Sequence, residues 1–182
     1  MKIVIAPDSF KESLDAHQVA SCIERGFADV FPHAEFVKMP LADGGEGTVD
    51  VLLEALNGKK RRLHATDPIG RECTAYWASL VQQVDGKSVN TALVEFAQAS
   101  GLDRLTVGER APSTASSFGT GLLIRDALDK GVEQIIIGLG GSATNDAGAG
   151  ILQALGGKLL YKQGNELPVG GAELNQLASI NL

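Results

Sequence analysis

The most constraining feature of this chain is a thirteen-residue run, Gly138-Leu139-Gly140-Gly141-Ser142-Ala143-Thr144-Asn145-Asp146-Ala147-Gly148-Ala149-Gly150. It follows an apolar stretch, Gln134–Ile137, and precedes a helical pattern through Ile151, Leu152 and Leu155. A strand-to-helix connection usually takes roughly 2–6 residues. Five glycines in this longer run let the backbone N–H groups approach a ligand closely. Ser142, Thr144 and Asn145 add side-chain donors, and Asp146 can cap the next helix or hold a metal. The expectation is a loop beyond the carboxyl end of a strand that holds a phosphorylated or otherwise anionic small ligand.

Two familiar nucleotide signatures compete for this region. Gly138 to Ala143 fits the dinucleotide pattern G-x-G-x-x-G/A. That fingerprint also wants the helix to begin within the motif and an acid at the end of the next strand. Here Asn145-Asp146 intervenes, and the next strand ends in Tyr161-Lys162-Gln163, with Glu166 beyond a turn. No G-x-x-x-x-G-K-[ST] loop and no HRD or DFG set occurs, so phosphoryl transfer here needs another scaffold.

The chain as a whole reads as α/β. Lys2–Ala6 is a short apolar strand stopped by Pro7-Asp8, and a helix starts at Asp15 with Gln18 as its capping-box partner. Pro32 closes that helix, Glu35–Met39 reads as a strand, and a helix follows Gly47 and stops at Asn57-Gly58. Strand, helix, strand, helix implies a parallel sheet with crossover helices. After about Thr66 the pattern changes. Cys73–Val84 and Val89–Phe96 read as a hairpin through Asp85-Gly86. The α/β pattern then returns with a helix from Thr114 to about Lys130, a buried strand at Gln134–Ile137 and a strand at Lys158–Tyr161. The tail from Leu174 to Leu182 shows no clear closing element. The expected division is 1–67, the N-terminal part of one α/β domain, and 68–182, part of a second mixed α/β domain.

Composition narrows the function. Glycine makes up 22 of 182 residues, and it is clustered, which favours shaped loops over linkers. A net charge of −6 disfavours nucleic acid or an anionic membrane surface as partner. Cys22 and Cys73 have no metal spacing and read as reduced core thiols; His17, His33 and His64 are scattered and read as surface or core residues. The apolar run Ile3–Ala6 is far too short for a signal peptide or a membrane span, so a cytoplasmic location is expected.

Two more segments carry chemistry, each after an apolar strand. In Pro7-Asp8-Ser9-Phe10-Lys11, Lys11 is a point charge for a carboxylate or phosphate, and Asp8 can hold Mg²⁺ or orient a hydroxyl. In Asp43-Gly44-Gly45-Glu46-Gly47-Thr48, the glycines and the following helix N-terminus form an expected anion site. Asp43 and Glu46 would repel an anion unless a Mg²⁺ lies between, which suggests a metal–phosphate site.

Together these segments resemble the glycerate kinase family. Met1–Lys11 is similar to its first strand and loop, and Ala42–Thr48 to its DGGEGT motif. Glu95 with Ala99-Ser100-Gly101-Leu102 is similar to its E-x-A-x-A-S-G-L segment. Thr114–Gly121 and Gly138–Gly150 are similar to its T-x-S-x-G-T-G and GGSATND stretches. Leu122 stands where the resemblance suggests glutamate, and Ala147 where it suggests glycine.

The resemblance implies an ATP-dependent kinase that transfers the γ-phosphoryl group to a hydroxyl of glycerate, with Mg²⁺. It implies a Rossmann-like parallel-sheet domain, incomplete here, and a second mixed α/β domain. Family members are roughly twice as long, so the chain is expected to stop inside the second domain and to expose apolar sheet surface. On this reading Asp8, Lys11 and Asp43 are catalytic, and Asp43 and Asp146 are metal ligands. Ser9, Gly44, Gly45, Glu46, Gly47 and Thr48 bind substrate or phosphate, as do Gly140, Gly141, Ser142, Thr144 and Asn145. The alternatives are a non-catalytic nucleotide- or anion-binding fragment of such a kinase, and a dinucleotide-dependent oxidoreductase.

Overall fold

The structure is a computed structural model that describes residues 1–10 and 13–182, with the side chains of residues 54 and 55 left aside. The strands form three sheets, two of two strands and one of four. In the first, β1 (Lys2–Ile5) pairs in parallel with β2 (Glu35–Lys38) across the helix α1 (Ala16–Val30). This crossover is the one expected from the alternation. Asp15 caps α1 as the capping box requires: its carboxylate accepts from the Gln18 N–H at 2.8 Å, and the Gln18 side chain accepts from the Asp15 N–H. The helix α2 (Thr48–Leu56) follows and ends at Asn57, which adopts a left-handed conformation.

The second sheet has the order β3-β4-β5-β6. Strands β3 (Lys59–Thr66), β4 (Glu72–Val84) and β5 (Lys87–Glu95) are antiparallel neighbours; β6 (Gln134–Gly138) lies parallel to β5. The β4–β5 hairpin turns at Asp85-Gly86, both at positive φ, as that dipeptide predicts. A short helix α3 (Ala97–Ser100) leaves β5, and α4 (Phe118–Asp129) precedes β6. Helix α4 covers one face of the sheet, where Ala75, Trp77, Ala92 and Val94 meet Leu123, Ile124 and Ala127. Helix α2 covers the other, where Val49 meets Ala78, Leu80 and Leu93. With both faces covered, β5 is buried continuously from Thr91 to Glu95 instead of alternating. The buried Trp77 indole donates to the Asp126 carboxylate at 2.8 Å, which satisfies its one polar group.

Beyond β6, α5 (Ala149–Ala154) leads to a third sheet, in which β7 (Lys158–Leu160) pairs antiparallel with β8 (Ser179–Asn181). Leu159 and Leu167 pack with Ala149 beneath it. The tail thus closes on a strand, contrary to the open end expected from its composition.

Four other expectations change. The hairpin sheet begins at Lys59, not after Thr66, because the cation-rich Lys-Lys-Arg-Arg run is an exposed edge strand that needs no apolar alternation. Helix α4 starts at Phe118, four residues later than expected. Strand β6 is an edge strand, with Ile136 and Ile137 39% and 38% exposed, rather than a buried one. Cys22 is exposed on α1, so only Cys73 is partly in the core, and both thiols are free. Apolar surface is exposed beside the first sheet, at Val4 (56%) and at Met39 and Leu41. Among the described residues no helix is long and apolar enough to cross a membrane.

Candidate active site

The two glycine-rich loops meet. The Gly140 N–H donates to the Gly44 carbonyl at 2.9 Å. This approach is possible only without side chains: a Cβ on Gly138 would lie 2.6 Å from the Gly44 oxygen, and one on Gly140 2.5 Å from the Gly45 Cα. The glycines of the 138–140 segment therefore serve loop-to-loop packing. Further along, the same loop pairs with the segment after β5. Leu102 N–H donates to the Gly141 carbonyl and Ala143 N–H to the Ser100 carbonyl, both at 2.9 Å. That segment carries Asp103, which faces Glu46 of the Asp43–Thr48 turn. The three segments thus form a closed ring.

The first loop joins the ring through the sheet. Leu41 N–H donates to the Pro7 carbonyl at 2.9 Å, and Asp8 and Asp43 lie in the segments that run on beyond the carboxyl ends of β1 and β2. A cleft of about 480 Å³ opens there. It is lined by Asp8, Ser9, Glu46 and Gly47 among the expected site residues. Lys11 lies outside the described residues. The cleft also takes in His17, Asp50, Tyr76, Gln98 and Asp103, none of which stood out in the sequence. Tyr76 donates to the Asp50 carboxylate at 3.2 Å, and the Lys60 ammonium sits 2.6 Å from Asp50 and 4.4 Å from the Tyr76 ring centre. Burial and the neighbouring Asp50 carboxylate push the Tyr76 hydroxyl well above its usual pKa, so it remains a proton donor. Burial, then the charge of Asp103, pushes the Glu46 carboxyl up as well.

The hydrogen bonds of the Asp43–Thr48 turn differ from those of an open anion cradle. Gly44 N–H donates to Thr48 Oγ1 at 3.1 Å, Gly45 N–H to Asp43 Oδ1 at 3.0 Å, and Thr48 N–H to the Gly45 carbonyl at 3.3 Å. Val49 N–H donates to Glu95 Oε2 at 3.2 Å. The turn satisfies the Gly44, Gly45 and Thr48 amides itself, and Glu95 satisfies that of Val49. In the second glycine loop the amides of Gly141, Ser142 and Asn145 have no partner among the described residues. Ser142 and Asn145 are exposed there, and Ser142 Oγ lies 3.4 Å from Thr144 Oγ1.

Asp146 takes the capping alternative. Only 1% exposed, it accepts from the Ser117 N–H and hydroxyl at 2.8 Å each, from Gly150 N–H at 3.1 Å and from Gly148 N–H at 3.2 Å. It ties the N-termini of α4 and α5 together, and its lone pairs are committed to protein donors.

The chain is similar to known proteins along its whole length. The model described as the glycerate kinase family matches residues 3–182. The chain belongs to the glycerate kinase family. It is 52% identical to a glycerate kinase of Bacillus subtilis and 50% identical to a glycerate 2-kinase of Escherichia coli, in each case over the whole chain and 46% of the relative. A crystal structure from Salmonella typhimurium LT2, assigned as glycerate kinase 2, superposes with a TM-score of 0.76 at 51% identity, over all of this chain and 47% of that one. The chain therefore spans about half the length of the relatives it matches.

Family membership sets aside the dinucleotide reading, and the geometry agrees: α5 begins only at Ala149, well past the Gly138–Ala143 pattern. The residues absent from the sequence reading were hidden for a simple reason. Asp50, Tyr76, Gln98 and Asp103 lie on α2, β4, α3 and the turn after it, and only the three-dimensional packing collects them. The segment Glu95–Leu102, on which the family resemblance rests, carries Gln98 and leads directly into Asp103, both in the cleft wall. Arg104 holds that wall, donating to the Gln98 carbonyl at 2.5 Å and the Thr74 carbonyl at 3.2 Å.

Proposed function

We propose that this chain forms one wall of the active site of a kinase that transfers the γ-phosphoryl group of ATP to a hydroxyl of glycerate, in the cytoplasm and with Mg²⁺. The observation that carries this reading is the ring that joins the Asp43–Thr48 turn, the 138–146 loop and the segment after β5, next to the cleft lined by Asp8 and Ser9 of the first-strand loop, Glu46 and Asp103. Enzymes of this kind act mainly by positioning two anions and neutralising the charge between them.

The donor set divides the labour. The unpartnered amides of Gly141, Ser142 and Asn145, with the hydroxyls of Ser142 and Thr144, suit phosphate oxygens. Gly140 places that loop, and Gly44, Gly45 and Thr48 shape the turn rather than hold phosphate directly. Ser9, Glu46 and Gly47 line the cleft on the acid-substrate side. Lys11 is proposed from the sequence as the cation for the substrate carboxylate or the transferred group.

Mg²⁺ keeps several waters and needs only one or two carboxylates besides phosphate. Asp8 and Asp43 fit that demand: both are exposed, and each has one oxygen engaged, by Ser9 N–H at 2.6 Å and Gly45 N–H at 3.0 Å. Asp146 does not fit, because its carboxylate is committed to four protein donors. When bound, the ion would neutralise charge building on the phosphate oxygens. Asp43 is also our candidate for accepting the substrate hydroxyl proton. The change of sheet at residues 57–59 is our proposed seam between two domains, in place of residue 67.

Asp43→Asn and Lys11→Ala, each made in the complete gene product, test these roles. Each is expected to lower kcat by about 100-fold or more, with the melting temperature little changed. Near-normal turnover in either variant moves the chemistry elsewhere.

A further inference from the structure

We infer that Glu95 is a positioning residue: its carboxylate caps α2 from the end of β5 and so sets the Asp43–Thr48 turn against the cleft. The inference rests on the kinase reading above for its catalytic consequence, and on geometry alone for the cap.

A helix starts with several backbone N–H groups that lack helical partners. Here the N-cap is Gly47, at φ 86, and it has no side chain to offer. The sequence around α2 supplies no local cap for Val49. Glu95 supplies it from 46 residues away, accepting from Val49 N–H at 3.2 Å. Its other oxygen takes Gln98 Nε2 at 3.4 Å, and Gln98 lines the cleft. Glu95 also pairs in register with Gly138, the residue whose missing Cβ admits the Gly44 carbonyl. One side chain, 1% exposed, therefore touches α2 and the cleft wall and lies beside the junction of the two glycine loops.

The charge matters here as well as the shape. A buried carboxylate is costly unless it is well paired, and an apolar residue would fill the same space at lower cost. At the N-terminal end of α2 the carboxylate occupies the place an anion takes at a helix N-terminus. Burial raises its pKa, and the amides of Val49 and Gly47 with Gln98 draw it back. A protein carboxylate thus closes this helix end to ligand phosphate. Phosphate is directed instead to the unpartnered amides near Ser142, and Glu46 is held toward Asp103.

The test compares wild type with Glu95→Gln and Glu95→Asp in the complete gene product. Glutamine keeps the volume and removes the charge; aspartate keeps the charge on a shorter stem. In Glu95→Gln, amide hydrogen exchange at Gly47 and Val49 is expected to quicken at least ~10-fold. Amide chemical shifts across 44–49 should move, while those of Ser142 and Asn145 stay in place. The kcat of glycerate-dependent ADP release should fall at least ~10-fold, with KM for MgATP within about 3-fold of wild type. Glu95→Asp should recover part of the kcat, and it stands in for the glutamine variant should that one not fold.

Unchanged exchange at Val49 overturns the cap. Faster exchange with unaltered kcat, or an equal rise in KM for MgATP, overturns the positioning role. A wild-type protein that releases no ADP with glycerate overturns the kinase reading instead. The shifts at 44–49 against 142 and 145 then decide the placement of the turn without any turnover.

Discussion

Gly140 and Gly44 are joined by a backbone hydrogen bond of 2.9 Å, N–H of the first to carbonyl of the second, and each sits in a different glycine-rich motif. In sequence these motifs are two separate candidate anion loops. In the structure they are the two halves of one junction, and the junction explains part of the glycine. Gly140→Ala should destabilise the protein by about 1–3 kcal/mol, because the new Cβ must push the 44–45 backbone away. Gly26→Ala is the control: it lies inside α1 with open space at the Cβ position, and should stabilise by about 0.5–1 kcal/mol. Denaturant midpoints of the two variants check both signs.

Ala147 occupies a left-handed conformation at φ 49, where the resemblance to the family led to glycine. A Cβ in that region costs on the order of 1 kcal/mol. Ala147→Gly should therefore raise stability, by somewhat under 1 kcal/mol after the added freedom of the unfolded chain is counted. A lower thermal midpoint in this variant would contradict the strain.

Asp146 should behave as a structural tie and not as a metal ligand. Asp146→Asn leaves Ser117, Gly148 and Gly150 donors facing an amide NH₂ in a buried site, at a cost of about 1–3 kcal/mol. The Mg²⁺ concentration giving half-maximal turnover should stay at the wild-type value in the folded fraction. A large rise in that concentration with stability intact would return Asp146 to the metal.

How far the sequence discloses the molecule depends on the range of the interaction. The Asp15–Gln18 capping box and the Asp85-Gly86 turn are local, and both are where their residues put them. The Lys59–Thr66 strand is invisible to hydrophobic periodicity because it is an edge rich in cations, and the β8 tail because its partner β7 lies some twenty residues back. In the candidate site, the motif glycines mark the two loops that meet at Gly44 and Gly140. Which amides remain open for a ligand depends on contacts such as Val49–Glu95 and Ser117–Asp146, which no spacing rule contains.

Asp67 gives an acid-side prediction. It is 6% exposed, and burial pushes its carboxyl up. The Arg71 guanidinium at 2.5 Å and the amides of Arg71 and Ile69 outweigh burial and hold it below its ordinary value of 3.8. The folded state therefore favours the ionised form, and the stabilisation is present above the unfolded value. It is lost as pH falls below about 3.8, through the lower folded value. The melting-temperature gap between wild type and Asp67→Asn should be steady at near-neutral pH and close in that acid window. A gap that widens there would contradict the sign.

The most direct test of the central claim is a coupled ADP-release assay on the complete gene product, with MgATP and a panel of small hydroxy acids. Release that depends on glycerate, and that falls by about 100-fold or more in Asp43→Asn, is the predicted result. No glycerate-dependent release from folded wild-type protein, or full release from Asp43→Asn, would contradict it.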